Sequence, residues 1–263
     1  MGCGAGATVA VVALVWVVAV TVDVAGVSLF LQPPWRGQCL APGVIRERGD
    51  AAPLVPSRPT LKKLRIAAAG CQACDLWRTG TQTVFGEGKQ TSTVMFVGEQ
   101  PGNQEDLRGK PFVGPAGALL DKALVEAGID RNEVYVTNVV KHFKWEPRGK
   151  RRIHKKPNAS EIKACRPWLD AEINVIKPRV IVCLGSTAAQ AILGPKFKVS
   201  AMRATFVPSP LAPFVTATVH PSSILRAPSH DQRRAEMAKF IADLKKIRKA
   251  IDSEPAMAAA RRR

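Results

Sequence analysis

The chain has 263 residues, 46% of them hydrophobic, and a formal net charge of +18. That size and apolar content exclude a chain too polar to bury a core, and allow one large domain or a domain with an appendage. Residues 1–60 contribute only +1 of the +18, so the basicity sits in residues 61–263, which points first to nucleic acid and second to an anionic membrane surface as partner.

Residues 1–60 differ from the rest. Ala7 to Val22 is an almost unbroken apolar run, and Asp23 is the only charged residue before Arg36. The run has the character of a membrane anchor or a signal peptide. No basic residue precedes it, and Asp23 ends it early. Gln32 to Pro59, rich in Pro, Arg and Gly, reads as irregular linker. The segment 1–60 is therefore expected to be an anchor or a disordered extension.

From Leu61 the pattern becomes that of an α/β domain, expected to run to about residue 252 with a basic tail, 253–263, after it. Leu61 to Ala69 predicts a short helix, followed by Cys71-Gln-Ala-Cys74. Thr93 to Gly98 is a short apolar run closed by Gly and predicts a buried strand. Gly117 to Ala127 has helical spacing and Gly128 as its stop. Val134 to Val140 predicts the next strand. Ser160 to Ile176 predicts a helix that must accommodate Pro167. Arg179 to Gly185 predicts the third strand and Ser186 to Leu193 its helix. Phe214 to Val219 predicts the fourth strand, and Asp231 to Ile251 a basic amphipathic helix. Strands alternating with helices predict a three-layer α/β sandwich around a central, mostly parallel four-stranded sheet.

Ligands of such sheets bind at the carboxyl ends of the strands. Glu99-Gln100, Asn138 and His220 all fall there. So does Lys141 to Lys156, which carries eight Lys/Arg against one Glu and two of the four histidines, His142 and His154. Its density of positive charge suits phosphate, although a basic run by itself is equally a solvated loop. Gly98 admits a close backbone approach, and Glu99 beside it either orients a cationic group or caps a helix. Phe112, in a Gly/Pro-rich loop, either stacks on a base or plugs the core. The Asn138 amide pairs a donor with an acceptor, as a pyrimidine edge does, or is a satisfied core group. Cys71, Cys74, Cys165 and Cys183 suit a metal or an iron–sulfur cluster, while Cys183, inside an apolar strand, also fits a plain buried residue.

Taken together, Gly98-Glu-Gln-Pro-Gly102, Gly109-Lys-Pro-Phe-Val-Gly-Pro-Ala-Gly117, Thr137-Asn-Val-Val-Lys-His-Phe143, Gly149-Lys-Arg-Arg-Ile-His154 and Val219-His-Pro-Ser-Ser223 resemble the uracil-DNA glycosylase superfamily. Within it they resemble the UdgX group, relatives of the iron–sulfur family 4 enzymes, across about residues 61–252. The Lys-Arg-Arg-Ile-His insertion and Gln100 carry the resemblance to UdgX. Asn103 departs from it, since Asp is expected there.

The resemblance implies excision of uracil from DNA, with unpaired or single-stranded uracil easiest to extrude and free uracil as product. It implies that Phe112 stacks on the flipped base, that Asn138 reads its edge, and that Gly98 and Ser222 complete the pocket. His220 would stabilise the departing uracil. His154 would attack C1′ and stay bonded to the DNA, with Glu99, Gln100 and Arg152 orienting it. Lys150, Arg151 and Lys155 would hold phosphates. A [4Fe-4S] cluster is implied on Cys71, Cys74, Cys165 and Cys183, in a structural role. An ordinary multiple-turnover glycosylase and a non-catalytic iron–sulfur DNA-binding protein are the alternative readings. A monomer is expected, in the cytoplasm and associated with the nucleoid; residues 7–31 are the segment a membrane tether would use.

Overall fold

The computed structural model describes residues 9–13, 16–23, 26–31 and 49–260, with side chains for residues 49–253. Two compact units result, Met1–Arg46 and Glu47–Arg263. In the first, β1 (Val9–Ala13), β2 (Trp16–Asp23) and β3 (Gly26–Leu31) form an antiparallel sheet in that order. The described residues of the apolar run considered as an anchor thus lie in strands. No helix among the described residues is long and apolar enough to cross a membrane. Residues 32–48 of the expected linker lie outside the described residues, as do Cys3 and Cys39.

The second unit begins with an ordered stretch. Ala51 is fully buried and donates its backbone N–H to Ala164 O at 2.9 Å, so part of the expected linker is structural. The elements then run α1 (Leu61–Ala68), β4 (Val94–Gly98), α2 (Asn103–Arg108), α3 (Pro115–Ala127), β5 (Val134–Asn138), β6 (Trp145–Arg148), β7 (Arg151–His154) and α4 (Ala159–Ile176). They continue with β8 (Val180–Leu184), α5 (Ser186–Leu193), α6 (Val199–Met202), β9 (Phe214–Thr218), α7 (Pro221–Leu225) and α8 (His230–Ala260). Helix α4 is unbroken at Pro167.

The central sheet has four parallel strands in the order β5-β4-β8-β9, as expected. The strands are buried except for Phe214 at the start of β9, and alternate side chains feed two separate cores. Met95, Val97, Ile181 and Cys183 face the layer of Leu64, Trp168, Leu169 and Ala188, from α1, α4 and α5. Val94, Phe96, Val182 and Leu184 face Leu120, Leu124, Ile224, Phe240 and Leu244, from α3, α7 and α8. Three layers follow directly from this alternation. The parallel register sets Gly98 opposite Asn138, so the residues that follow β4 and those that end β5 emerge side by side.

The largest difference from expectation is the basic stretch. It is a two-stranded antiparallel hairpin, β6 with β7, in which Trp145 pairs with His154 and Arg148 with Arg151. Gly149 turns it with φ +57°. His154 therefore stands at the base of the hairpin, next to the sheet, while Lys150 is at its tip.

Candidate active site

A cleft of about 1050 Å³ opens at the carboxyl ends of the sheet strands, where Glu99, Gln100, Phe112, Asn138, His154 and His220 meet. The alternation of strand and turn explains their convergence: each follows or ends a parallel strand or its attached loop.

The floor of the cleft depends on glycine. A Cβ at Gly98 would stand 2.4 Å from Asn138 Oδ1 and 2.9 Å from Phe112 Cζ. A Cβ at Gly117 would overlap Phe112 O at 1.7 Å, and Phe112 itself has φ 56°, a left-handed conformation that costs a non-glycine residue free energy. The backbone is thus bent to aim the Phe112 ring into the cleft. It lies against the His220 imidazole, with ring centroids 6.2 Å apart and planes 30° from parallel.

His220 is the residue before α7, and the chain fixes its tautomer. Ser222 N–H donates to His220 Nδ1 at 3.1 Å, and Ser222 Oγ lies 2.8 Å from the same atom. With Nδ1 accepting, the ring proton belongs on Nε2. Burial lowers the His220 pKa to about 4, with Arg226 and His154 adding to the effect, so the ring is neutral near pH 7. Ser222 thus acts on His220.

Asn138 is buried at the end of β5, and its side chain lines the cleft. Its backbone carbonyl accepts from Lys141 Nζ at 2.8 Å. That ammonium is fully buried in an ion pair with Glu172 at 2.5 Å. Thr137 and Tyr135 hydroxyls also donate to the Glu172 carboxylate, at 3.0 and 2.8 Å.

His154 is about half exposed, and its Nε2 lies 3.4 Å from Glu99 Oε1. Burial lowers its pKa below the ordinary histidine value, Glu99 pulls it back, and Arg226 lowers it further. Three fixings hold the hairpin that carries it. Gln100 staples the two residues that flank the hairpin at its base: its Nε2 donates to Lys144 O (3.1 Å) and Lys155 O (3.0 Å), and its Oε1 accepts from Lys144 N–H (3.1 Å). Arg152 reaches back to Asp106 Oδ2 (2.7 Å), Asn103 Oδ1 (2.7 Å) and Thr81 Oγ1 (3.2 Å). Its guanidinium also lies over the rings of Phe143 and Trp145, at 5.5 and 5.4 Å. Asn103, the departure from the expected Asp, supplies the same kind of acceptor oxygen to Arg152 without the charge. Lys150 and Arg151 are exposed beyond the cleft, and Lys155 pairs with Glu146 at 2.5 Å.

Residues 85–245 match the family model of the uracil DNA glycosylase superfamily. The chain belongs to the uracil-DNA glycosylase superfamily. It is 39% identical over 185 residues to the type-4 uracil-DNA glycosylase of Thermotoga maritima, covering 70% of this chain and 91% of that one. To the type-4 enzyme of Saccharolobus solfataricus it is 34% identical over 191 residues, 70% of this chain and 83% of the other. Against that of Archaeoglobus fulgidus it is 44% identical over 122 residues, which cover 46% of this chain and 58% of that enzyme.

None of the four cysteines lines the cleft of this uracil-DNA glycosylase fold, and Cys71, Cys165 and Cys183 share one buried layer. Cys71 and Cys165 are buried and Cys74 partly so; Cys71 helps to raise the pKa of Cys74, and both help to raise that of Cys165. Burial drives Cys165 up to about 12 and raises Cys74. Two N–H groups address the sulfurs: Trp168 Nε1 donates to Cys71 Sγ (3.3 Å) and Lys141 N to Cys165 Sγ (3.2 Å). Cys183 sits mid-strand in β8 and is driven to about 12 by burial alone, with no contribution from another cysteine. His142, the other histidine of the basic stretch, follows Lys141 directly and is buried. Its Nε2 lies 2.9 Å from Thr83 Oγ1, which donates to the same Ala68 carbonyl that Cys71 N–H meets. No three His, Cys, Asp or Glu among the described residues converge tightly enough for a single metal ion. A four-iron cube holds its ligands further apart than one ion does, and three thiols with N–H donors aimed at two of them fit such a group.

Two residues of the cleft, and one packed behind His154, escaped the sequence reading. Thr187 donates its hydroxyl to Glu99 Oε2. Arg226 adds positive charge beside both histidines. Phe143 packs its ring 6.1 Å from that of His154. Only Arg226 left a signal, a cation six residues beyond His220.

Proposed function

We propose that the protein is a uracil-DNA glycosylase that removes uracil from DNA and remains bonded to the abasic site through His154, as in the UdgX group. The observation that carries this is His154 Nε2, 3.4 Å from a carboxylate oxygen at the rim of a cleft shared by Phe112, Asn138 and His220.

The uracil leaves the base stack and enters the cleft against the Phe112 ring. The Asn138 amide pairs with the polar edge of the pyrimidine. His220 donates Nε2–H to the uracil oxygen that gains charge as the glycosidic bond lengthens. A donor placed where charge develops is worth on the order of a hundredfold or more in rate. The bonding pair departs with uracil N1, leaving a cationic C1′. The neutral His154 Nε2 then gives its lone pair to C1′, its ring proton staying on Nδ1. The imidazolium so formed carries one positive charge next to Glu99, and the uracil anion takes a proton from water. The hairpin tip, Arg148 to Arg151, meets phosphates of the strand, and single-stranded DNA is the substrate that requires least unstacking.

A [4Fe-4S] cluster would be held by Cys71, Cys74 and Cys165, with His142 as fourth ligand where Cys183 was expected. When bound it supplies a covalent tie between the segment after α1, the segment after β5 and helix α4. Because Lys141 precedes His142 and binds the Asn138 carbonyl, that tie also steadies the residue that reads the base.

The test is incubation of the full chain with a single-stranded oligonucleotide containing one uracil, followed by denaturing electrophoresis. The expected result is a shifted band resistant to heat and detergent, lost in His154→Ala, with one uracil released per protein. Multiple turnover without a shifted band would leave a conventional glycosylase, and no uracil release would leave a DNA-binding protein.

A further inference from the structure

Glu99 has two carboxylate oxygens, and the chain treats them differently. Oε1 faces His154 Nε2 at 3.4 Å. Oε2 accepts the hydroxyl hydrogen of Thr187. Thr187 is in the first turn of α5, only 4% exposed, and it also lines the cleft. It arrives there because β8 lies beside β4 in the sheet, so the turn after β8 emerges next to the residue after β4. Gly185, with φ +87°, makes that turn, and a Cβ on it would stand 3.1 Å from His220 Cβ. The turn therefore brings Thr187 to Glu99 while leaving His220 in place.

A carboxylate with one free oxygen can rotate about its last torsion and turn away from a partly exposed imidazole. A hydroxyl on the far oxygen removes that freedom, and hydrogen bonds to a charged acceptor are among the stronger ones. Uracil departure depends on Phe112, Asn138 and His220, none of which hydrogen-bonds to the Thr187 side chain. Capture of the sugar depends on His154 meeting C1′ before water does.

We propose that Thr187 is a positioning residue that locks Glu99 toward His154 and so sets how the sugar cation partitions between His154 and water. This rests on the covalent reading above. Thr187 makes no contact with the DNA in this role and acts only through Glu99.

The experiment compares wild type with T187V, T187A and T187S on the same uracil-containing single strand. Released uracil and covalent adduct are quantified in one time course, and the readout is adduct formed per uracil released. Loss of one hydrogen bond to a charged group predicts a fall in that ratio of about tenfold to a hundredfold in T187V and T187A. T187S keeps the hydroxyl and is expected within about twofold of wild type. A general packing defect would instead lower release and adduct together and follow side-chain volume, so that T187V behaved best; that result overturns the proposal. An unchanged ratio in both hydroxyl-free variants also overturns it. A wild-type protein that releases uracil and forms no adduct overturns the covalent reading itself, and the partition with it.

Discussion

Lys141→Met is the perturbation with the largest worked consequence. Lys141 and Glu172 are both 0% exposed, and the ammonium donates to Glu172 Oε2 (2.5 Å), Thr137 Oγ1 (2.6 Å) and Asn138 O (2.8 Å). Methionine fills a similar volume but leaves the Glu172 carboxylate buried with only neutral donors: Tyr135 Oη at 2.8 Å, Thr137 Oγ1 at 3.0 Å and Gly86 N at 3.1 Å. Removing one partner of a buried pair costs about 3–5 kcal/mol, because the remaining charge has lost its counter-ion. In a domain of this size each kcal/mol moves Tm by about 2–4 °C, so a fall of about 6–20 °C is expected. Adding Glu172→Leu removes the stranded charge, and K141M/E172L should melt above K141M. Thermal unfolding of the full chain, followed by circular dichroism, checks both. A K141M protein melting within about 2 °C of wild type, or a double variant that loses the sum of the two single effects, would refute the reasoning.

Gly98→Ala places a methyl group against Asn138 Oδ1 and Phe112 Cζ, so uracil release should fall on the order of a hundredfold with little change in melting; a uracil-release assay reads it. Adduct formation should be independent of pH from neutrality upward and decline as pH falls through the depressed His154 value, since protonation removes the attacking lone pair; time courses across acid and neutral buffers decide this. His220, whose folded pKa of about 4 lies below the ordinary histidine value, stabilises the fold as a neutral ring. That stability is complete above about pH 6.5 and is lost as pH falls toward 4, and ring-nitrogen NMR should show Nε2–H throughout the neutral range. Visible absorption of the purified protein should survive Cys183→Ala and His142→Cys, and vanish in Cys71→Ser.

The order of strands and helices was legible because each buried parallel strand is a short apolar run and each helix has its own stop, as at Gly128. The convergence of Glu99, Asn138 and His220 followed from the same reading, since parallel strands end on one edge. The hairpin was not legible. Pro147 and a run of charges argue against a strand, and its pairing is held from outside, by Gln100 and Arg152. Thr187 was hidden for a related reason: it belongs to a helix start with an ordinary sequence, and only the adjacency of β8 to β4 brings it to Glu99. Spacing grouped Cys183 with three other thiols, and alternation along β8 sets it in one buried layer with Ile181, Cys71 and Cys165; what spacing did not offer is His142, which the chain after β5 carries to Thr83 and so to the carbonyl that Cys71 N–H meets.

Peptide mapping by mass spectrometry of the protein recovered after reaction with a uracil-containing strand tests the covalent claim most directly. The account predicts nuclease-trimmed sugar attached to the peptide bearing His154, on the imidazole, with uracil absent from the adduct. Attachment to Lys150, Lys155 or any other residue, or a protein recovered unmodified while uracil accumulates, would contradict it.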